Sequence, residues 1–176
     1  LTQIGDDCAG VVTDTCGAGP CNIKRGAEVF GIAEGCLESF VRVSTRFDHI
    51  VRRPAATCAS AACTLPAVWC TVHEVLSRAS VSSRHSLLLH AAAGGIGLSA
   101  LEYLRWLHLW AVGTAGQPAK HRLLLDSRLG QARGSSRSAP AFVAGVARFF
   151  SSARTRHVCN SLSTDFVAAS ALLLKE

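Results

Sequence analysis

The sequence predicts an α/β fold in which a short-stranded β module precedes a doubly wound parallel sheet, with both parts incomplete. Three observations predict it. Ser86 to Leu107, SLLLHAAAGGIGLSALEYLRWL, reads as a strand, a Gly-rich turn and a helix. Roughly the first fifty residues carry short β-type runs divided by Gly and Pro signals. Beyond Leu109, apolar strand-like runs alternate with helical periodicity, as a parallel sheet with crossover helices requires.

In chain order, Gly10-Val11-Val12 and Glu28-Val29-Phe30-Gly31 read as strands around a turn-rich connection, Thr15 to Gly26. Phe40-Val41-Arg42-Val43 alternates as a further strand would. So few strands cannot close a barrel or cover both edges, so an N-terminal portion is expected to be missing. Residues 54–79 change character: Ala55 to Ala62 is rich in small residues, Pro66 marks a break or helix start, and Val68, Thr71, Val72 and Val75 follow at helical spacing. His73 there reads as a surface or satisfied histidine rather than a catalyst. After the central turn, Leu109 to Thr114 is a strand and Pro118 to Leu129 a helix stopped by Gly130. Ala132 to Ala139 reads as a loop with room for a short strand, and Ala141 to Phe150 as a helix. Val158-Cys159 ends a strand at Asn160-Ser161-Leu162, and Asp165 to Leu174 is the last helix. The chain stops before a six-stranded sheet is complete, so both ends look cut.

Composition narrows the function classes. The 176 residues are 49% hydrophobic, ample for a buried core. No run of eighteen apolar residues free of charge spans a membrane, and Asp6 and Asp7 interrupt any secretion signal. The eight cysteines are not needed as staples in so apolar a chain. Cys58, Cys63 and Cys70 lie among alanines, where a free thiol acts as a small hydrophobe, which predicts a reducing, cytoplasmic setting. The net charge of +6 is uneven, with Lys120 and a series of arginines between 117 and 157 facing Asp126 alone. Such a segment attracts phosphate. It lacks aromatic interleaving, zinc-finger spacing and a recognition helix, so a nucleotide phosphate on a solvated basic face is preferred to nucleic acid.

The glycines Gly94, Gly95 and Gly97 suit a turn reaching positive φ, backbone open to a diphosphate over free N–H groups, and close helix–strand contact. A purely structural turn is the alternative. About twenty residues on, an NAD site commonly places an acid for the ribose hydroxyls. Here Thr114, Ala115 and Gly116 stand instead, followed by Lys120 and Arg122, which favours the 2'-phosphate of NADPH over NADH.

Several segments carry a family resemblance: IGDDCAGVV at 4–12, EVFGIAEGCLESFVRV at 28–43, AACTLPAVWCTVHEVL at 61–76, LLLHAAAGGIGLSALEYLR at 87–105, GTAGQPAKHRLL at 113–124, SSRS at 135–138 and NSLSTDFVAASALLL at 160–174. The chain resembles the enoyl reductase domain of polyketide synthases and animal fatty acid synthase, within the medium-chain, quinone-oxidoreductase-like reductases. HAAAGGIGLSA together with NSLSTDF carries the specificity. The resemblance implies a Rossmann-type parallel sheet preceded by part of a GroES-like β-barrel. It divides the chain into a substrate-side β module at 1–53, a helical bridge at 54–79 and an NADPH-binding domain at 80–176. It further implies reduction of a trans-2-enoyl thioester carried by an acyl carrier protein, with hydride delivered to the β carbon and a proton to the α carbon. Neighbouring synthase domains are implied partners, and a homodimer is left open.

By residue, the resemblance implies a diphosphate turn at Ala93, Gly94, Gly95, Ile96 and Gly97, with His90 before it in a positioning role. It places Thr114, Lys120 and Arg122 around the adenosine 2'-phosphate, and Asn160, Ser161 and Leu162 near the nicotinamide. Lys120 also matches a lysine associated with proton delivery, while that lysine's downstream aspartate is replaced in the neighbourhood of Ala139, Pro140 and Ala141. The common GDRVFG pattern appears as GAEVFG, losing a local acid–base pair. Asp6 stands where zinc-dependent relatives place the histidine of a GHE motif, so no metal is expected. A quinone oxidoreductase and a non-catalytic structural domain are the alternatives.

Overall fold

The computed structural model describes residues 4–16, 23–44, 49–81, 86–126, 134–135, 138–150, 155–162, 164–171 and 174. The chain forms two compact units, Leu1–Cys70 and Thr71–Glu176.

In the first unit, β1 (Asp7–Val11), β2 (Glu28–Ile32) and β3 (His49–Arg52) form an antiparallel sheet in that order. Strand β1 pairs with β2 from Asp7↔Ile32 to Val11↔Glu28, and β2 with β3 from Val29↔Arg52 to Ile32↔His49. Gly31 is the close-approach point, since a Cβ there would overlap the His49 carbonyl. Glu28, which breaks the expected acid–base pattern, finds a cation elsewhere: its carboxylate pairs with Arg53, which also donates to the Thr57 carbonyl.

The expected strand at Phe40–Val43 is not formed. Residues 37–44 carry no strand and Phe40 is 77% exposed. Strand β2 sits between β1 and β3 with both edges occupied, and four alternating residues bury too little to compete. The strand that takes that edge, His49–Arg52, was not expected. Part of the Thr15–Gly26 connection, residues 17–22, lies outside the described residues.

Two helices follow, α1 (Ala59–Ala62) and α2 (Pro66–Arg78), and the division between the units falls inside α2. Pro66 starts α2, where its missing N–H costs nothing. The first turn contains no acid, and the Asp7 carboxylate accepts from the Ala67 N–H at 2.9 Å instead. No disulfide joins the seven cysteines among the described residues. The three among alanines do not fill the core as expected, since Cys58 and Cys70 are exposed and Cys63 is half-buried, whereas Cys159 packs against the first core cluster. The Cys58 thiol is held below its ordinary pKa, chiefly by the Ser60 hydroxyl 3.2 Å away.

The second unit contains β4 (Ser86–Leu89), α3 (Gly95–Trp106), β5 (Trp110–Ala115), α4 (Pro118–Asp126), β6 (Gly134–Ser135), α5 (Ala139–Phe150), β7 (Thr155–Cys159) and α6 (Thr164–Ala171). The strands form one parallel sheet in the order β6-β5-β4-β7. Strand β4 is buried along its whole length, as a central parallel strand covered on both faces must be. Its side chains divide the core by alternation. Leu87 and Leu89 join Val72, Leu76, Ala100, Leu101, Leu104 and Leu124 in one cluster. Leu88 joins Val112, Phe142, Val146, Phe166 and Ala169 in the other.

The short strand allowed for within Ala132–Ala139 is β6, which extends the ladder by Thr114↔Gly134 and Ala115↔Ser135. On α2 the inward face is Val72 and Leu76, while Thr71 and Val75, grouped with Val72 by spacing, are exposed, Val75 at 40%. Helix α4 ends at Asp126, and the expected stop at Gly130 lies outside the described residues. Among the described residues no helix is long and apolar enough to cross a membrane.

Candidate functional site

The chain runs from β4 outward through β5 to β6 and then crosses to β7 on the other side of β4, so β4 and β7 flank the point where strand order reverses. In open parallel sheets, the crevice beyond the carboxyl ends of such strands is where ligands bind. Here those ends carry the Gly-rich turn and Asn160-Ser161-Leu162, which meet through backbone. The His90 N–H donates to the Cys159 carbonyl at 3.0 Å, and the Ala92 N–H to the Thr114 carbonyl at 2.9 Å.

The turn reverses through Ala91, at φ 49°, and not through a glycine. The Gly94 N–H closes it on the Ala91 carbonyl at 2.9 Å. Gly94 is the N-cap of α3 and offers no side-chain cap. The N–H groups of Gly95, Ile96 and Gly97 therefore open the helix where intrahelical acceptors are lacking and the dipole favours an anion. Gly94, Gly95 and Ile96 are exposed, and Ala93 is half-buried against the core below. A Cβ at Gly95 would meet nothing within 4 Å, whereas one at Gly97 would lie 2.5 Å from both the Ala91 carbonyl oxygen and Ala92 Cα. Gly95 thus leaves space outward, and Gly97 lets the helix close on the turn.

Beneath the turn, His90 is 1% exposed and packs against Phe142 and Phe166, with ring centroids 4.9 and 5.6 Å away. Its Nε2 lies 2.8 Å from Ser170 Oγ and its Nδ1 3.1 Å from Thr114 Oγ1. The Ser170 hydroxyl donates to the Phe166 carbonyl at 2.5 Å. Its oxygen must then accept from Nε2–H, which leaves Nδ1 bare to accept from the Thr114 hydroxyl. Burial pushes the imidazole pKa down to about 4, so the ring is neutral near pH 7. This geometry gives His90 a holding role and no path for proton exchange with a ligand. Thr114 is 0% exposed, with its hydroxyl committed inward.

After β7, Asn160 Oδ1 accepts from the Leu162 N–H at 2.8 Å, fixing a tight turn. Asn160 Nδ2 is buried without a partner among the described residues, an arrangement that calls for an explanation in a folded protein. Ser161 is exposed, and Leu162 packs on the second core cluster. Lys120 and Arg122 stand on α4, immediately after β5, both exposed. The structure thus joins His90, the turn, Thr114 and the Asn160 segment at one edge, and sets the two cations one element away. An open helix N-terminus, bare backbone at Gly94 and Gly95 and an unsatisfied amide donor fit a dinucleotide.

Ser170 was missed in the sequence. The available signal was a polar residue on the apolar stripe of α6, in step with Phe166 and Ala169. Among the described residues, no group of three or more His, Cys, Asp or Glu is placed to hold a metal ion.

No protein-family model matches the sequence. The chain is 35% identical over 128 residues to the reducing polyketide synthase FUB1 of Gibberella moniliformis, a match covering 70% of this chain and 5% of that protein. It is 33% identical over 135 residues to the probable polyketide synthase 15 of Dictyostelium discoideum, covering 71% of this chain and 4% of that one. Among solved structures, the CurK enoyl reductase superposes with a TM-score of 0.87 at 27% identity, covering 99% of this chain and 51% of that chain. The Escherichia coli quinone oxidoreductase complexed with NADPH shares the fold, with a TM-score of 0.79 at 24% identity, covering 99% of this chain and 53% of its own. The chain therefore spans about half of the solved reductases and about one-twentieth of the curated synthases it matches. By these likenesses it is a structural homologue of the CurK enoyl reductase and shares the fold of the quinone oxidoreductases.

Proposed function

We propose that this chain is the NADPH-binding part of an enoyl reductase that reduces a trans-2-enoyl thioester on an acyl carrier protein during polyketide or fatty acid synthesis. The observation that carries the proposal is the uncapped N-terminus of α3, opened by Gly94 and Gly95 at the strand-order reversal and flanked by Asn160. The matches to reducing polyketide synthases and to the CurK enoyl reductase support the substrate class.

In this reading the amides of Gly95, Ile96 and Gly97 receive the diphosphate, and Ala93 and Gly94 set the approach. Lys120 and Arg122 supply the cations for the adenosine 2'-phosphate. Asn160, with Ser161 and Leu162, borders the nicotinamide, and its free Nδ2–H donor is satisfied there. When bound, the cofactor supplies the hydride that reduces the β carbon. The chain's contribution is to fix the cofactor against the alkene within a few tenths of an ångström, where orientation lowers the barrier most. Lys120 has a second proposed task, protonation at the α carbon. The basic, solvent-facing α4 favours the phosphate role. Neighbouring synthase domains are proposed partners and the cytoplasm the proposed compartment.

The test uses the intact protein. NADPH titration by fluorescence, followed by NADPH oxidation with a trans-2-enoyl thioester and separately with a quinone, is expected to show binding and thioester-dependent turnover. Preferential quinone turnover favours a quinone oxidoreductase. Binding without turnover of either favours a non-catalytic domain, and a folded protein that does not bind NADPH overturns the assignment.

A further inference from the structure

We propose that Ser170, on α6, is a positioning residue for the cofactor turn, acting through the buried His90 and Thr114. The inference rests on the NADPH reading above and adds to it a part of the chain that no glycine motif marks.

Four elements converge on His90. Its backbone N–H is bonded to the end of β7 through Cys159 at 3.0 Å. Its Nδ1 meets Thr114 at the end of β5 at 3.1 Å, and its Nε2 meets Ser170 on α6 at 2.8 Å. Phe142 on α5 and Phe166 on α6 close over the ring, themselves in edge contact at 5.6 Å. Ser170 is 3% exposed, His90 1% and Thr114 0%, so water cannot replace any member of the set.

The next residues along the chain are the turn itself. Ala91 supplies the carbonyl that closes it on Gly94, and the Ala92 N–H is held by the same Thr114 whose hydroxyl meets His90. The position of the N–H groups of Gly95, Ile96 and Gly97 is therefore set by a rigid chain of contacts running from α6 through an imidazole to β5. Proton placement permits one direction: Thr114 to Nδ1, Nε2 to Ser170, Ser170 to the Phe166 carbonyl. Removing the Ser170 hydroxyl leaves Nε2–H buried without an acceptor. The ring must tilt or change tautomer to recover one, which carries His90 and the start of the turn with it. Reduced order at the cradle lowers cofactor affinity because binding must then restore it. The chemical step is spared once the cofactor is seated.

The test compares Ser170→Ala and Thr114→Val with the unmodified intact protein. Leu76→Ala, which opens the core on α2 instead, controls for lost stability. If the unmodified protein fails to bind NADPH, the functional reading falls, independently of this inference. Given binding, Ser170→Ala is expected to raise the NADPH Kd and KM about tenfold while kcat at saturating NADPH stays within about twofold. Thr114→Val is expected to follow it, and to carry the test should Ser170→Ala fail to fold. Leu76→Ala is expected to lower the unfolding midpoint without moving the Kd. Unchanged Kd in a folded Ser170→Ala overturns the inference whatever Thr114→Val does, as does an equal rise in Leu76→Ala.

Discussion

Replacing Gly97 by Ala places a methyl carbon 2.5 Å from the Ala91 carbonyl oxygen, 2.5 Å from Ala92 Cα and 2.6 Å from the Ala92 carbonyl carbon. All three are backbone atoms, so no side chain can rotate away. Ordinary contact needs nearly 1 Å more. Helix α3 must therefore lift from the turn, or the turn must lose its bond to Thr114. Overpacking of this kind costs about 3 kcal/mol. Helix propensity works the other way: Ala gains up to about 1 kcal/mol over Gly within a helix. The steric term decides, and Gly97→Ala is expected to be destabilised by about 2 kcal/mol net. Gly95→Ala is the matched comparison, because it makes the same chemical change two residues earlier, where a Cβ meets nothing within 4 Å. It is expected to keep or slightly raise stability while weakening NADPH binding about tenfold or more, since the methyl occupies the space through which a phosphate approaches backbone. Urea denaturation reads the first quantity and NADPH fluorescence titration the second. Equal urea midpoints for Gly97→Ala and wild type would refute the packing argument, and an unchanged NADPH Kd in Gly95→Ala would refute the cradle.

Further expectations concern other parts of the molecule. With His90 neutral in the folded state down to about pH 4 and near 6.5 when unfolded, the unfolded chain binds the extra proton, so stability falls as pH drops through this window. The loss from pH 7 to pH 5 is about 2 kcal/mol, measurable by urea unfolding at both values, and His90→Gln should abolish that contribution. Removing Lys120 or Arg122 is expected to lower the NADPH-over-NADH ratio of kcat/KM about tenfold each; an unchanged ratio places the 2'-phosphate elsewhere. Asn160→Ala removes the acceptor for the Leu162 N–H and is expected to cost about 1 kcal/mol of stability while raising the NADPH KM. In the first unit, Gly31→Ala drives a methyl into the His49 carbonyl and is expected to free β3, seen as loss of hydrogen-exchange protection at Val51 and Arg53.

The parallel sheet was legible because its signals are local and redundant. Strand β4 carries the apolar run Leu87 to Leu89, the turn after it is rich in small residues, and α3 repeats leucine at helical intervals. The antiparallel unit was legible only in part. Phe40–Val43 and His49–Arg52 are both four-residue runs of mixed polarity, and which one pairs with β2 is decided by tertiary competition that period-2 patterning does not contain. At the site, Gly97 and Gly95 were both readable as backbone requirements, but their different tasks depend on which way the missing Cβ would point. Thr114 was expected beside the 2'-phosphate, and its hydroxyl is instead committed to His90. Nothing in the local sequence distinguishes those orientations. Ser170, eighty residues from His90, is legible only as an anomaly on an apolar face.

The left-handed conformation at Ala91 has its own consequence. A residue with a Cβ pays about 1 kcal/mol to stay at φ 49°, and it does so because the Gly94 amide and the neighbouring Ala92–Thr114 bond leave it no alternative. The strain acts like a loaded spring against a stop. Relaxing it with glycine would make the fold more forgiving and the phosphate seat more mobile, so thermal resistance and ligand grip need not rise together at this position.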